Sequence, residues 1–343
     1  MAHLSAIDSI QPAIELTKQR LFRPAKYSMW WRIAFLGIFS GEMSSGNGFH
    51  FNTMLPSSPS NANHFAASPG TIIAFVLSLS ALALVLILAL MYASSVLRFV
   101  LFDAVLNGRY RIREGWRMWR ERAIPYFRLQ VLTFVALLVG LVIFIGTPLG
   151  VIFSRGAFQL KHWDADSILI AVIGGLLALV WLLCAATFVT LSKDFVLPMM
   201  ALEGVNYDEG WRRLLGMMSA EKKSYIFYIL MKIVLAITGM ILLSLAVLVA
   251  MLAMGIPLGI AAAIVYVAFK AQLVGAMGIA ALVLLGIIVV VMILAALGLL
   301  SAPLAVFYPA YSIYFFAGRY APLQNAMTPP PPTEPPLAPS PAV

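Results

Sequence analysis

Two stretches of the chain set arginine beside tryptophan behind a glutamate and a glycine: Glu114-Gly115-Trp116-Arg117 and Glu209-Gly210-Trp211-Arg212. A guanidinium is planar, permanently charged and matched to the oxygens of phosphate. Tryptophan is favoured at the depth of lipid headgroups. The chemistry these residues suit is anion binding at a membrane surface, not bond making. Arg213 extends the second stretch, and Trp119 follows the first. Upstream, Arg109, Arg111 and Arg113 alternate with Tyr110 and Ile112, which in an extended chain puts all three arginines on one side. The expected headgroup-binding residues are thus Arg109, Arg111, Arg113, Arg117, Arg212 and Arg213, with Trp116, Trp119 and Trp211 as interfacial anchors. Membrane anchoring and topology alone are the plainer role for the same residues.

Other chemistry is sparse. His162, Asp164 and Asp166 alternate near Trp163 and read as an ordinary loop rather than a metal site. His50 and His64 stand far apart without further ligands. Cys184 is the single cysteine, so no internal disulfide or thiolate cluster is available, and it reads as a small buried apolar residue. No Gly-x-Ser-x-Gly elbow, His-Glu-x-x-His pair or phosphate-binding glycine loop with its lysine occurs. The expectation is a protein without catalytic residues, metal or cofactor.

The elements that must position these residues follow from composition. The chain has 343 residues, 62% of them hydrophobic and 11% charged, against about 25% charged in an ordinary soluble domain. Its mean hydropathy is +0.94. That excludes a soluble globular enzyme and a disordered chain. Five uncharged runs are long enough to cross a bilayer: Thr71–Leu97, Leu129–Ser154, Ser167–Ser192, Ile233–Met254 and Ala271–Leu300. About 20 apolar residues suffice. Tyr27–Ser40 is a shorter sixth span, or else a re-entrant hairpin. The fold class expected is an all-α membrane protein of about six transmembrane helices, built from repeated helical hairpins with cytoplasmic interfacial amphipathic helices.

Arginine and lysine gather in residues 1–32, 103–128 and 193–223, and the formal net charge is +9. The positive-inside rule makes these segments cytoplasmic. Glu42–Gly70 has no Lys or Arg and reads as an external loop. Six crossings then leave both termini in the cytoplasm. Residues 1–26 carry no signal-peptide pattern. Ile10, Ile14, Thr17 and Leu21 instead mark one face of an amphipathic helix. Residues 27–320 form the membrane domain. Thr328–Val343 holds eight prolines and should be an extended tail. Soluble cytosolic modules that read proline-rich strands are its expected partners if it has any; nucleic acid is not.

The chain also repeats itself. Phe99-Val100-Leu101 recurs as Phe195-Val196-Leu197, Leu106 and Gly108 as Leu202 and Gly204, and the two Glu-Gly-Trp-Arg stretches follow in turn. Gly146-Thr147-Pro148-Leu149-Gly150 recurs as Gly255-Ile256-Pro257-Leu258-Gly259. The copies cover about 99–193 and 195–300 and share one orientation. Pro148 and Pro257 are expected helix breaks near the outer ends of their spans, because proline lacks the N–H a helix needs. Ser301–Gly318, interrupted by Pro303 and Pro309, is expected to lie at the cytoplasmic interface. The spans hold no Asp or Glu, and Lys232 is close enough to the interface to snorkel.

Leu21-Phe22-Arg23-Pro24, Trp31-Arg32-Ile33-Ala34-Phe35, and Arg98-Phe99-Val100-Leu101-Phe102-Asp103 leading to Arg111-Ile112-Arg113 resemble a family of uncharacterised multi-pass membrane proteins of bacteria and archaea. They are distantly similar to the membrane domain attached to some glycerophosphodiester phosphodiesterases. The resemblance spans roughly residues 5–320 and implies a prokaryotic plasma-membrane protein. It brings no activity, because the family has none assigned to carry over, and without the phosphodiesterase catalytic domain that chemistry is not inherited. The expected function is a non-catalytic scaffold or accessory protein with anionic-lipid contacts on its cytoplasmic face. The alternative is a carrier or channel for a small or lipid-like substrate.

Overall fold

A computed structural model of the protein describes residues 4–22, 27–40, 42, 69–154, 164–269 and 276–328. Within them the chain forms ten helices: α1 (Ile10–Phe22), α2 (Tyr27–Phe39), α3 (Pro69–Asn107), α4 (Ile112–Trp119), α5 (Ala123–Ser154), α6 (Ala165–Glu203), α7 (Tyr207–Ala220), α8 (Lys222–Phe269), α9 (Ala276–Ala317) and α10 (Ala321–Met327). Five of them, α3, α5, α6, α8 and α9, are long and apolar enough to cross a membrane. Large apolar side chains stand exposed from Ile73 to Leu90 on α3, from Leu132 to Phe153 on α5 and from Ile168 to Val189 on α6. At 1.5 Å per residue these runs measure roughly 26–32 Å, the thickness of a hydrocarbon core. Exposed apolar surface of that height is what lipid, not water, covers.

The long helices extend beyond this band at one end and converge there on a packed hub. Its core comes from Val96–Val105 of α3, Ala123–Leu129 of α5, Leu191–Ala201 of α6, Tyr225 and Tyr228 of α8, and Ala302–Ala317 of α9. Phe195 sits within 5.0–5.4 Å, ring centre to ring centre, of Tyr225, Tyr228 and Phe316. α1 and α2 pack on α9. α1 buries Ala13, Thr17 and Leu21 but leaves Ile14 exposed, so its apolar face is only partly the one its spacing marks.

Several expectations need correction. α2 is 13 residues long, about 20 Å, too short to cross. It ends at the hub, where Arg98 Nε donates to the Ser40 carbonyl at 2.6 Å. Glu42 is not in an external loop but buried, 2.9 Å from Lys193 Nζ. Residues 43–68 of that loop, with His50 and His64, lie outside the described residues, as does the proline-rich tail beyond Thr328. Ser301–Gly318 is not a separate interfacial piece: α9 runs unbroken through Pro303 and Pro309. Each proline costs a helix about 3 kcal/mol. Complete burial of Ala302, Ala310, Tyr311, Phe315 and Phe316 in the hub outweighs that cost. Lys232 does not snorkel but is buried in an ion pair with Asp194. Cys184 is exposed on α6.

The helices also continue through both Gly-x-Pro-Leu-Gly segments. Ahead of Pro148, α5 widens into a π turn over Val142–Gly146, in which Thr147 N–H reaches back to the Val142 carbonyl. The Ile143 carbonyl would next receive the N–H of residue 148, and proline has none. The Thr147 hydroxyl donates to it instead. The ring of Pro148 then fits against α6, where a Cβ on Gly174 would lie 2.6 Å from its Cγ.

Candidate functional site

The repeated segments build matching local structures. α3 and α6 each end on a glycine at φ +71°, Gly108 and Gly204, the left-handed cap that lacks steric cost only for glycine. Their N–H groups return to Ala104 and Met200, both at 3.0 Å. Arginines from elsewhere in the chain, Arg20 on α1 and Arg122 in the turn before α5, complete the two ends. Arg20 Nη2 donates to the Leu106 carbonyl at 2.7 Å and Arg122 Nη1 to the Ala201 carbonyl at 3.0 Å. A cation at a helix C-terminus also meets the negative end of the helix dipole. After each cap a short amphipathic helix, α4 or α7, folds back. Gly115 touches Val100 and Gly210 touches Val196, so closely that an added Cβ would sit 2.9 or 2.8 Å from a valine methyl. Trp116 meets Tyr92 edge-on at 6.1 Å, and Trp211 stacks on Phe188 at 4.5 Å.

The tryptophans therefore face the bundle. Trp119 is buried, stacked on Phe99 at 5.7 Å, and its indole N–H has no acceptor. Trp116 and Trp211 are half-buried. The six arginines stay on the surface, but in two states. Arg212 and Arg213 are held by Glu209, and Arg213 also by Glu203. The hydrogen bonds from Arg213 and Arg212 keep the Glu209 carboxyl below its ordinary range. Arg111 pairs with Glu114 at 2.7 Å, both well exposed. Arg109, Arg113 and Arg117 are exposed and make no ion pair among the described residues. A cleft of about 350 Å³ with a mixed lining lies between the Gly108 turn and α4, bounded by Asp103, Arg109, Tyr110, Arg111, Glu114 and Met118.

Sequence reasoning missed a second cluster, at the level where the exposed apolar runs end. Asp194 accepts from the Tyr228 hydroxyl at 2.9 Å and pairs with Lys232; beside it Lys193 pairs with Glu42. All four ionised residues are at least 93% buried (relative exposures 6%, 4%, 3% and 7% for Lys193, Glu42, Asp194 and Lys232). Arg98 shares a small cavity with Glu42, Lys193 and Asp194. Its Nη1 donates to the Tyr126 hydroxyl at 2.8 Å, and to the Gln130 carbonyl oxygen at 3.0 Å once that amide is turned to satisfy Met91 and Ser95 as well. The available signal was the repeat itself. Arg98 stands directly before Phe99-Val100-Leu101, as Asp194 stands before Phe195-Val196-Leu197. Among the described residues no group of three or more His, Cys, Asp or Glu side chains gathers to hold a metal.

Fold and site together define a multi-pass membrane protein with a buried ionic hub at one end of its helices. The chain belongs to a family of unknown function, DUF7544, whose model matches residues 4–325. No curated protein and no solved structure is significantly similar to it.

Proposed function

We propose that this protein is a non-catalytic scaffold or accessory protein of a prokaryotic inner membrane, with its hub end in the cytoplasm and an arginine rim against anionic headgroups. The observation that carries this reading is the contrast between the rims of the two copies. Arg212 and Arg213 are neutralised by glutamates, whereas Arg109, Arg113 and Arg117 project without a carboxylate beside the Gly108 turn. Each basic residue near an anionic leaflet contributes about 1 kcal/mol, or roughly fivefold in affinity. The prokaryotic setting comes from the family resemblance, and the cytoplasmic orientation from the positive-inside rule. A cytosolic partner of the proline-rich tail fits the same orientation.

The test replaces Arg109, Arg111, Arg113 and Arg117 with Gln and first confirms insertion by protease mapping. Short-chain anionic and zwitterionic lipids are then titrated against purified protein at rising salt. The wild type should prefer the anionic lipid, with an advantage that salt screens; the variant should lose most of it. An unchanged preference overturns the reading.

A second reading, a carrier for a small or lipid-like substrate, draws support from the π turn at Val142–Gly146, since such turns concentrate at functional sites. A wholly apolar cleft of about 290 Å³ between α8 and α9 also favours it. Saturable flux through vesicles containing the protein would favour the carrier over the scaffold.

A further inference from the structure

We infer that the cleft between α3, α5 and α6 binds one anionic lipid, its headgroup on Arg98 and an acyl chain along the apolar walls. The cleft measures about 180 Å³. Its walls include Met91, Phe134, Leu137 and Val189, and its floor is Arg98, Gln130 and Ser192. The lining is almost wholly apolar, with Arg98 at its base, and that combination matches an amphiphile, not a free ion.

The charge at the floor is unbalanced. Arg98 is half-buried, and the partners it meets are neutral: a carbonyl, a phenol and an amide. The two carboxylates in the neighbouring cavity, Glu42 and Asp194, are each engaged by a lysine. Among the described residues Arg98 is thus a third cation beside two acids. A desolvated charge without a counter-ion is costly, and an anionic headgroup supplies the counter-ion. A guanidinium binds phosphate in a planar fork.

Depth selects the lipid as the source of that anion. The exposed apolar run of α5 begins at Leu132, just past Gln130, and that of α6 ends at Val189, just before Ser192. The floor therefore lies at the edge of the hydrocarbon band, where headgroups begin. The second copy shows the same position closed from within: Asp194 replaces Arg98, and Lys232 supplies the opposite charge from the protein itself.

The site is separate from the arginine rim, and the experiment keeps the two apart. Native mass spectrometry of the detergent-purified protein is run with phosphatidylglycerol and with phosphatidylcholine of the same chains. One tightly held phosphatidylglycerol is expected, persisting at salt that strips the rim, and inorganic phosphate should not displace it. Arg98→Gln should weaken that copy at least tenfold. Because Arg98 also holds Ser40 and Tyr126, a second variant, Leu137→Trp, fills the wall and leaves the floor intact. It should remove the same copy. The four-arginine rim variant should retain it. Retention of the tight copy by folded Arg98→Gln or by Leu137→Trp overturns the inference. So does its displacement by inorganic phosphate, or equal binding of phosphatidylcholine.

Discussion

The two copies share their backbone devices and part company in their electrostatics. Both end a long helix on a left-handed glycine, both return through a short helix whose glycine rests on a valine, and both place a charged residue before Phe-Val-Leu. In the second copy that residue is Asp194, buried and paired with Lys232. In the first it is Arg98, half-buried among neutral acceptors. The same division runs along the surface, where Glu209 and Glu203 hold the second copy's arginines, while Arg109, Arg113 and Arg117 of the first make no ion pair among the described residues. Packing specifies the unit, and charge differentiates what each unit does. The second copy is closed on itself and the first is left open to an anion.

The difference can be broken most forcefully at Asp194. Asp194→Leu strands buried Lys232 and should destabilise the protein by about 3–5 kcal/mol, the usual cost of removing one partner of a buried pair. Adding Lys232→Met should restore most of that loss, since an apolar pair of similar volume needs no counter-charge. Thermal unfolding in detergent measures both. A double variant as weak as the single one would mean that the hub depends on Asp194 as the acceptor of the buried Tyr228 hydroxyl more than as the counter-charge of Lys232.

Gly115→Leu and Gly210→Leu probe what the copies share. Each forces a side chain into Val100 or Val196, and overpacking of this kind costs about 1–3 kcal/mol. The two should lower thermal stability about equally. Arg98→Gln should come next, at about 1 kcal/mol in lipid-free detergent, because it removes hydrogen bonds but strands no acid. If it proved as damaging as Asp194→Leu, the first copy would be as closed as the second. The smallest effect belongs to Glu209. Its folded-state carboxyl titrates below the unfolded one, so what it contributes is present at neutral pH and lost as pH falls through the lowered value. Glu209→Gln should shift stability only slightly and flatten its acid limb. It should also raise the second copy's affinity for anionic lipid toward that of the first.

The periodicity of the chain made the long helices and the repeat legible, because an apolar run of bilayer length and a recurring Phe-Val-Leu, Gly and Glu-Gly-Trp-Arg are local patterns. Where the ends of those helices meet was not legible. Lys193 and Asp194 read as part of a polar loop because charge in a sequence signals solvent unless its partner is known, and their partners, Glu42 and Lys232, lie far away along the chain. Pro303 and Pro309 pointed to a break for a similar reason. Their local cost is visible in the sequence, whereas the hub that outweighs it is assembled from α1, α2, α3 and α6. The tryptophans were placed at the headgroups on residue preference, and Trp119 shows the limit of that preference when Phe99 offers a stacking partner.

The π turn of α5 has a counterpart in α6, over Ser192–Val196, and the pair has a consequence of phase. A helix advances about 100° per residue, so one extra residue absorbed into a wide turn rotates everything beyond it by roughly that angle. Val142–Gly146 does this ahead of Pro148, and Ser192–Val196 does it ahead of Pro198. In α6 the wide turn itself carries the buried Lys193 and Asp194. Deleting one residue from it would leave the helix regular and the composition almost unchanged. The stretch Leu197–Ala201 beyond the turn would then swing about a quarter-turn away from α3 and α10, against which its helix packs. The ionic lock and the hub packing are set on a common dial, and a single residue turns it.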